Sequence, residues 1–356
     1  MVEWRSVFVT VAIILLCFFA IPIKISNVEH VEERAMFDSF MRKYNKSYPA
    51  NSEEYETRFK IFQEALEQIK TLNSHQDDSS PTVFYGITKF ADINRKEFDD
   101  KYLTYEHKNN SHGRRRVLMR HNGHERSNRP KRSIGDGLPR HIDWRDKGYV
   151  SKIKNQKTCG ACWAFSTIGV IESMVAMKTG VLKTFSTQEI IDCARYGNMG
   201  CDGGDTCNLL QWLVDNDVGI QEEKEYPLLL KTGTCKLKQP TKGVHVASNF
   251  SCDYLVGEEN TLLALLAYHG PVAVAVNALT WQYYLGGVIQ FHCEGGLESL
   301  NHAVQLVGYN LDGTPPYYIA RNSWGTSFGE KGYLKIAIGS NVCGVASEVA
   351  ALDVLT

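Results

Sequence analysis

Apolar positions are distributed along this chain in blocks of different period, and each block predicts a different element. Residues 163–178 are apolar nearly all round and Gly180 follows as a helix stop, so the pattern predicts a buried helix beginning at Cys162. Within 54–73, Glu54, Arg58, Phe62, Ile69 and Asn73 recur at largely helical spacing. That stripe predicts an amphipathic helix, with Arg58 four residues after Glu54 and within ion-pair reach of it. Short runs rich in β-branched residues at 271–276, 303–309, 317–321 and 332–338 predict strands. The buried helix at Cys162 and these later strands make α+β the fold expected of the C-terminal unit.

Two further blocks lie outside any packed core. Residues 7–23, following Glu3 and Arg5, are apolar apart from Thr10, which predicts the apolar region of a signal peptide over 1–26, although no A-x-A cleavage site follows. A membrane span needs about 17 residues at the low end, so a retained signal-anchor stands as the second reading. Residues 107–133 are polar and basic without a period, which predicts a disordered linker of the kind proteases cut. Internal repeats and low-complexity tracts are not apparent.

Composition narrows the field. With 39 Lys and Arg against 40 Asp and Glu, the net charge of −1 gives no reason to expect a nucleic-acid partner. At 356 residues and 43% hydrophobic, the chain can bury a large core in more than one unit. Nine of its 10 cysteines lie beyond the N-terminal apolar run. One reactive thiol would leave eight to pair, which suits an oxidising compartment. In that compartment the sequons at Asn45, Asn109 and Asn249 would be candidate glycosylation sites.

The candidate chemistry begins at Cys159-Gly160-Ala161-Cys162-Trp163. A free thiol is mostly protonated at neutral pH, so a nucleophilic cysteine needs a partner that stabilises thiolate; an imidazolium and a helix N-terminus both do this. Cys162 opens the predicted buried helix, whose unpaired N–H groups favour both a thiolate and the oxyanion of acyl transfer. His302 lies 140 residues on, Asn322 opens Asn322-Ser323-Trp324-Gly325, and Gln156 stands six residues before the thiol. In these positions His302 would serve as general acid and base, Asn322 would fix its tautomer, and Gln156 would offer an amide to the oxyanion. Each has a plainer reading: Cys159-x-x-Cys162 as a redox pair or half a zinc site, His302 as a core histidine, Asn322 as a turn residue, Gln156 as a surface polar residue. No second C-x-x-C or His-x3-His follows, and the joint occurrence in the order Gln, Cys, His, Asn favours the catalytic set, with no metal and no cofactor.

From about residue 138 to the C-terminus these motifs, with Asp143-Trp144-Arg145, Gly200-Cys201-Asp202-Gly203-Gly204 and Arg321-Asn322-Ser323-Trp324-Gly325, resemble the papain family of cysteine proteases. The resemblance implies a two-domain papain-like fold, a helical left domain built around the Cys162 helix and an antiparallel β right domain, with Cys162 and His302 on opposite walls of the cleft. It implies disulfides Cys159–Cys201, Cys193–Cys235 and Cys293–Cys343, and leaves Cys207 and Cys252 either bonded to each other or free. By the same resemblance Gly203 and Gly204 pair with extended substrate, and Trp324 shields the Asn322–His302 bond. Phe328 stands where the family usually has a second tryptophan. Glu348 falls on the floor of the S2 pocket, Asp205 on its rim, and Thr206, Ala275, Leu300 and Ala303 on its walls. A glutamate there would favour arginine at P2 unless it turns outward to solvent.

The earlier helical stripe resembles the ERFNIN pattern of cathepsin propeptides, with Ala65 in place of an asparagine. Gly86-Ile87-Thr88-Lys89-Phe90-Ala91-Asp92 resembles the accompanying G-x-N-x-F-x-D motif, with Thr88 in place of its asparagine. The resemblance therefore implies a zymogen: an inhibitory propeptide with its basic linker over 27–132, running backwards through the cleft, and a mature peptidase over 133–356 released at the furin-like Arg129-Pro130-Lys131-Arg132. No His-His insertion blocks one end of the cleft, so endopeptidase activity on proteins and peptides is expected, with an inactive papain-like binding protein as the rival. The expected partners are substrates, the chain's own propeptide and cystatin-type inhibitors. A monomer, lysosomal or secreted, is expected.

Overall fold

The computed structural model describes residues 31–74, 83–105, 134–238 and 240–355. The apolar run 7–23, the basic linker 107–133 and the Asn109 sequon lie outside the described residues. Among the described residues no helix is long and apolar enough to cross a membrane.

The N-terminal unit is built on aromatic packing between two helices, α1 over 31–44 and α2 (Glu53–Ser74). α2 buries Tyr55, Phe59, Phe62 and Ala65, and the Phe37 ring of α1 sits 5.3 Å from Tyr55 and 5.3 Å from Phe62. Ala65 lies within this apolar stripe, 1% exposed, where an asparagine would need a polar partner. The expected Glu54–Arg58 pair is not the one formed. Arg58 Nη1 reaches Glu97 at 2.8 Å and the Asp92 carbonyl at 3.1 Å, tying α2 to helix α3 (Arg95–Tyr102). A partner that also caps α3 holds the guanidinium better than an exposed neighbour one turn back: Glu97 and Asn94 form a reciprocal capping box at that helix start. Asn73 closes the other end of α2, exchanging two hydrogen bonds with Tyr85 in strand β1 (Val83–Tyr85).

β1 is also where this unit joins the rest. It pairs antiparallel with β6 (Tyr284–Ile289) and extends a sheet that continues through β9 (Tyr333–Ala337), β8 (Tyr317–Arg321), β7 (His302–Asn310), β5 (Val272–Val276), β10 (Val349–Ala351) and β4 (Ser251–Asp253). β2 (His141–Asp143) pairs with β7, and every pairing in the sheet is antiparallel except β6 with β9. Helix α7 (Glu259–Ala264) precedes β5, and β3 (His245–Val246) pairs with β11 (Val354–Leu355) in a second small sheet.

Helix α4 (Cys162–Thr179) is as predicted: buried from Cys162 to Ala176, and ended by Gly180 at φ +73°. It has no polar face because β5 and β7 cover one side while α5 (Thr187–Cys193) and α6 (Thr206–Asp215) cover the other. The helical and β halves meet along it. Disulfides join Cys159 to Cys201, Cys193 to Cys235 and Cys293 to Cys343, and a fourth joins Cys207 of α6 to Cys252 of β4. The sequence left that last pair open, and Cys162 is the free cysteine among the described residues.

Asp92 is fully buried and accepts from Lys46 Nζ at 2.8 Å and Tyr48 Oη at 2.6 Å. Removing one partner of a buried pair strands the other. Asp92→Ala is expected to destabilise the N-terminal unit by about 3 kcal/mol, the low end for breaking a buried pair because Lys46 keeps some solvent contact. Hydrogen exchange would register this as lost protection in α1 and α2 with α4 unchanged; equal protection in wild type and variant would rule it out.

Candidate active site

The cleft forms where the start of α4 faces the start of β7. Ala161, the N-cap of α4, offers no side-chain hydrogen bond, so the first turn beside Cys162 carries backbone N–H groups that no capping side chain consumes. Close approach of the neighbouring loop demands glycine at 160: Gly160 N donates to Cys201 O at 2.7 Å, and a Cβ there would lie 2.5 Å from that oxygen. Gln156 lies between the walls. Its backbone N donates to Ser323 O at 2.8 Å, its Oε1 accepts from Ser323 Oγ, and its Nε2 donates to Cys159 O at 3.0 Å.

On the facing wall His302 is the first residue of β7, and its Nε2 lies 2.8 Å from Asn322 Oδ1. The backbone N–H of Ser323 also donates to that Oδ1, which fixes the amide's orientation; an acceptor oxygen then requires the proton to sit on His302 Nε2. Nδ1 keeps its lone pair and makes no hydrogen bond within the protein. The Trp324 ring lies over the imidazole with centroids 4.7 Å apart, and Trp281 meets it edge-on at 6.0 Å. Phe328 packs edge-on against Trp324 at 4.9 Å, so the shield closes with a phenyl ring in place of a second indole at that position. Trp281 carried no signal of its own in the sequence, because its contact to His302 spans two distant segments.

A buried polar cluster behind Asn322 sets the separation of the walls. Arg321 donates to Gln305 Oε1 at 3.0 Å and to Ser151 Oγ at 2.9 Å, Ser151 Oγ donates to Glu172 of α4, and Lys154 pairs with Glu172 at 3.0 Å. Gln305 Nε2 in turn donates to Gly169 O at 2.9 Å. A Cβ on Gly169 would lie 2.6 Å from Arg321 Nη1, which is why a helix-weakening residue sits in the middle of α4.

The chain's own N-terminal segment fills the cleft. Tyr105 N donates to Asn301 O at 3.1 Å, and Tyr105 forms a parallel bridge with Gly204. Thr104 passes so close to Gly160 that a Cβ there would lie 2.1 Å from its Oγ1. Lys89 Nζ donates to Trp324 O at 2.5 Å, and the rings of Phe90, Phe98 and Tyr102 pack edge-on around Trp324. Under this cover Cys162 and His302 are both fully buried. Burial pushes the Cys162 thiol up to about 12 and the His302 imidazole down to about 4, although the Asn322 hydrogen bond pulls His302 upward. Burial therefore disfavours the charged form of each group.

The residues expected around S2 come together. Asp205, Thr206, Ala275, Leu300, Ala303 and Glu348 are all buried; Thr206 Oγ1 lies 3.2 Å from Tyr105 Oη, Ala275, Leu300 and Ala303 belong to the same apolar cluster as Tyr105, and the Tyr105 backbone bridges Gly204. Glu348 turns inward rather than toward solvent, at 4% exposure, and accepts from Tyr105 Oη. Asp205 caps α6 by accepting from Asn208 N at 2.8 Å, and its carboxylate lies within 4.8 Å of that of Glu348. Tyr105 was not legible as a site residue: it follows the prosegment motifs without belonging to either.

The sequence profile of the papain family cysteine proteases matches residues 138–352. The chain belongs to the papain family of cysteine proteases. The cathepsin propeptide inhibitor domain matches residues 37–98, so the chain is a zymogen that carries its own inhibitor domain. Human cathepsin O is 38% identical over 82% of this chain and 87% of its own length. The viral cathepsin of Orgyia pseudotsugata multicapsid polyhedrosis virus is 38% identical over 88% of this chain and 90% of its own. Among solved structures, procathepsin L2 from the Tenebrio molitor larval midgut superposes with a TM-score of 0.74 at 29% identity, covering 90% of this chain and 99% of that one. A recombinant stem bromelain precursor superposes at 0.73 and 30% identity, again covering 90% and 99%.

The buried neutral imidazole gives the closed cleft a pH dependence. Its value in the closed state lies below that of an exposed histidine, so the stability this contributes is fully present above about pH 6.5 and is lost as pH falls toward 4, by roughly 3 kcal/mol in all. Iodoacetamide labelling of Cys162 in the intact zymogen, relative to the processed enzyme, is expected to be at least about 100-fold slower at pH 7 and to rise across that window. A ratio that stays constant from pH 7 to 4 would contradict the assignment.

Proposed function

We propose that the chain is an endopeptidase acting through a Cys162–His302 pair. Once the prosegment leaves and water returns, the thiol transfers its proton to His302 Nδ1 and Sγ attacks the scissile carbonyl carbon. The resulting oxyanion takes hydrogen bonds from the Cys162 backbone N–H and from Gln156 Nε2. Collapse of the tetrahedral intermediate breaks the C–N bond, His302 gives its proton to the departing amine, and an acyl-enzyme thioester remains. Water, deprotonated by His302, then hydrolyses the thioester and regenerates the thiol. Asn322 is a positioning residue that holds the imidazole tautomer.

The observation that carries this reading is the free Cys162 at the start of α4 facing a histidine whose Nδ1 lone pair is kept available by the Asn322 bond. The filled catalytic positions and the masking prosegment argue against an inactive binding protein, which would have nothing to mask. Substrates are proteins and peptides in an open-ended cleft. The signal segment over 1–26 and cleavage after 129–132 deliver a monomeric mature chain of 133–356 to the lysosome or the exterior, where cystatin-type inhibitors are its further partners.

Cys162→Ser and His302→Ala are each expected to lower kcat by about 10⁴-fold or more, with the double variant no worse than either, because the two act as one unit. Asn322→Ala should cost far less. Steady-state hydrolysis of a fluorogenic peptide measures all four, and substantial turnover by purified Cys162→Ser would overturn the mechanism.

Glu348 supports a preference for arginine at P2, with Leu and Phe still accepted by the Ala275, Leu300 and Ala303 walls. A hydrogen bond to a charged group contributes about 1.5–3 kcal/mol, so Glu348→Gln is expected to reduce kcat/KM for P2 Arg relative to P2 Leu by about 10–100-fold. An unchanged ratio removes Glu348 from the specificity pocket.

A further inference from the structure

The way Tyr105 is seated gives the S2 pocket a property beyond accepting a cation. Its backbone is held on both sides, by the bond from Tyr105 N to Asn301 O at 3.1 Å and by the bridge to Gly204, so the ring's direction is set by the walls of the cleft. The side chain is 4% exposed and packs in one apolar cluster with Ala275, Leu300 and Ala303. At the far end the hydroxyl donates to Glu348 Oε1 and lies 3.2 Å from Thr206 Oγ1. The pocket is thus apolar along its sides and hydrogen-bonding at its floor, at the depth reached by a phenol.

We infer that this pocket selects a ring with a terminal hydrogen-bond donor, tyrosine over phenylalanine at P2, and that Tyr105 holds the zymogen closed through the same bond. The inference rests on the endopeptidase reading for its first half only. A phenylalanine would fill the apolar sides equally well and leave the bond to Glu348 unmade. Sites built to hydrogen-bond a substrate hydroxyl reject the analogue lacking it far more strongly than apolar sites reject a lost methylene. Walls and floor belong to α6, β5, β7 and the segment before β10, so a substrate side chain entering the pocket meets the same groups that Tyr105 meets.

Two measurements test the two halves. In the first, enzyme processed from the full chain and titrated at Cys162 is given peptides differing only at P2: tyrosine, phenylalanine or 4-methoxyphenylalanine, the last having no donor. The expected kcat/KM for tyrosine is at least about 10-fold above both others, with the preference abolished in Glu348→Leu. Equal rates for tyrosine and phenylalanine, with the peptides otherwise cleaved, overturn the selection and leave the endopeptidase reading standing. If none of these is cleaved while a P2 arginine peptide is, the selection alone is overturned; if the arginine peptide is not cleaved either, the endopeptidase reading fails and the selection with it.

In the second, Cys162 labelling is timed in the intact zymogen and in its Tyr105→Phe variant. This needs no catalysis, and the variant keeps the ring. Labelling about 10-fold faster in Tyr105→Phe, with an unchanged melting transition, supports the latch. Equal labelling rates overturn it.

Discussion

Arg321, Gln305, Ser151 and Glu172 form the buried contact on which the cleft depends, because they fasten helix α4 to strands β7 and β8 at one fixed separation. Cys162 begins α4, His302 begins β7 and Asn322 follows β8 directly, so the distances among the three are inherited from that contact. A buried charge cluster is a weak source of stability, since desolvation offsets most of its attraction. Its value here is geometric: hydrogen bonds specify a register that apolar packing alone would leave free to slide. Gly169 is the local cost, a glycine in mid-helix accepted so that Arg321 can approach the α4 backbone.

The prosegment lies over this preset geometry and fills the cleft. It leaves the His302–Asn322 bond in place and covers the cleft with Thr104, Tyr105 and the aromatic group around Trp324. In a covered site burial penalises the charged forms of both the Cys162 thiol and the His302 imidazole. The same burial makes the closed state sensitive to acid, because a histidine held neutral must be able to charge as pH falls.

Attachment of the inhibitor unit relies on the same physics as the fold beneath it. β1 continues the peptidase sheet at β6, so backbone hydrogen bonds join the two units as they join strands within either one. Asn73 fixes β1 to α2, and the Arg58–Glu97 pair fixes α2 to α3, whose rings reach Trp324. The inhibitor's helices are thus linked to the catalytic wall by a short series of contacts.

Local pattern determined the elements. The all-round apolar run fixed α4 to within a residue, the β-branched runs located β5, β7, β8 and β9, and the order Gln156, Cys162, His302, Asn322 marked the candidate chemistry before any coordinates. Each of these signals is a contiguous run, a local motif, or the order in which such motifs follow one another. What the sequence left open or misplaced depends on partners far apart in the chain. Arg58 turned from its neighbour Glu54 to Glu97, 39 residues away; Cys207 paired with Cys252, 45 away; Tyr105 met Glu348 across 243. Helical and strand periods report which face of an element is apolar, and carry no record of which other element will cover that face. Only the packed tertiary structure supplies that second surface, and with it the inward turn of Glu348 and the seat of Tyr105.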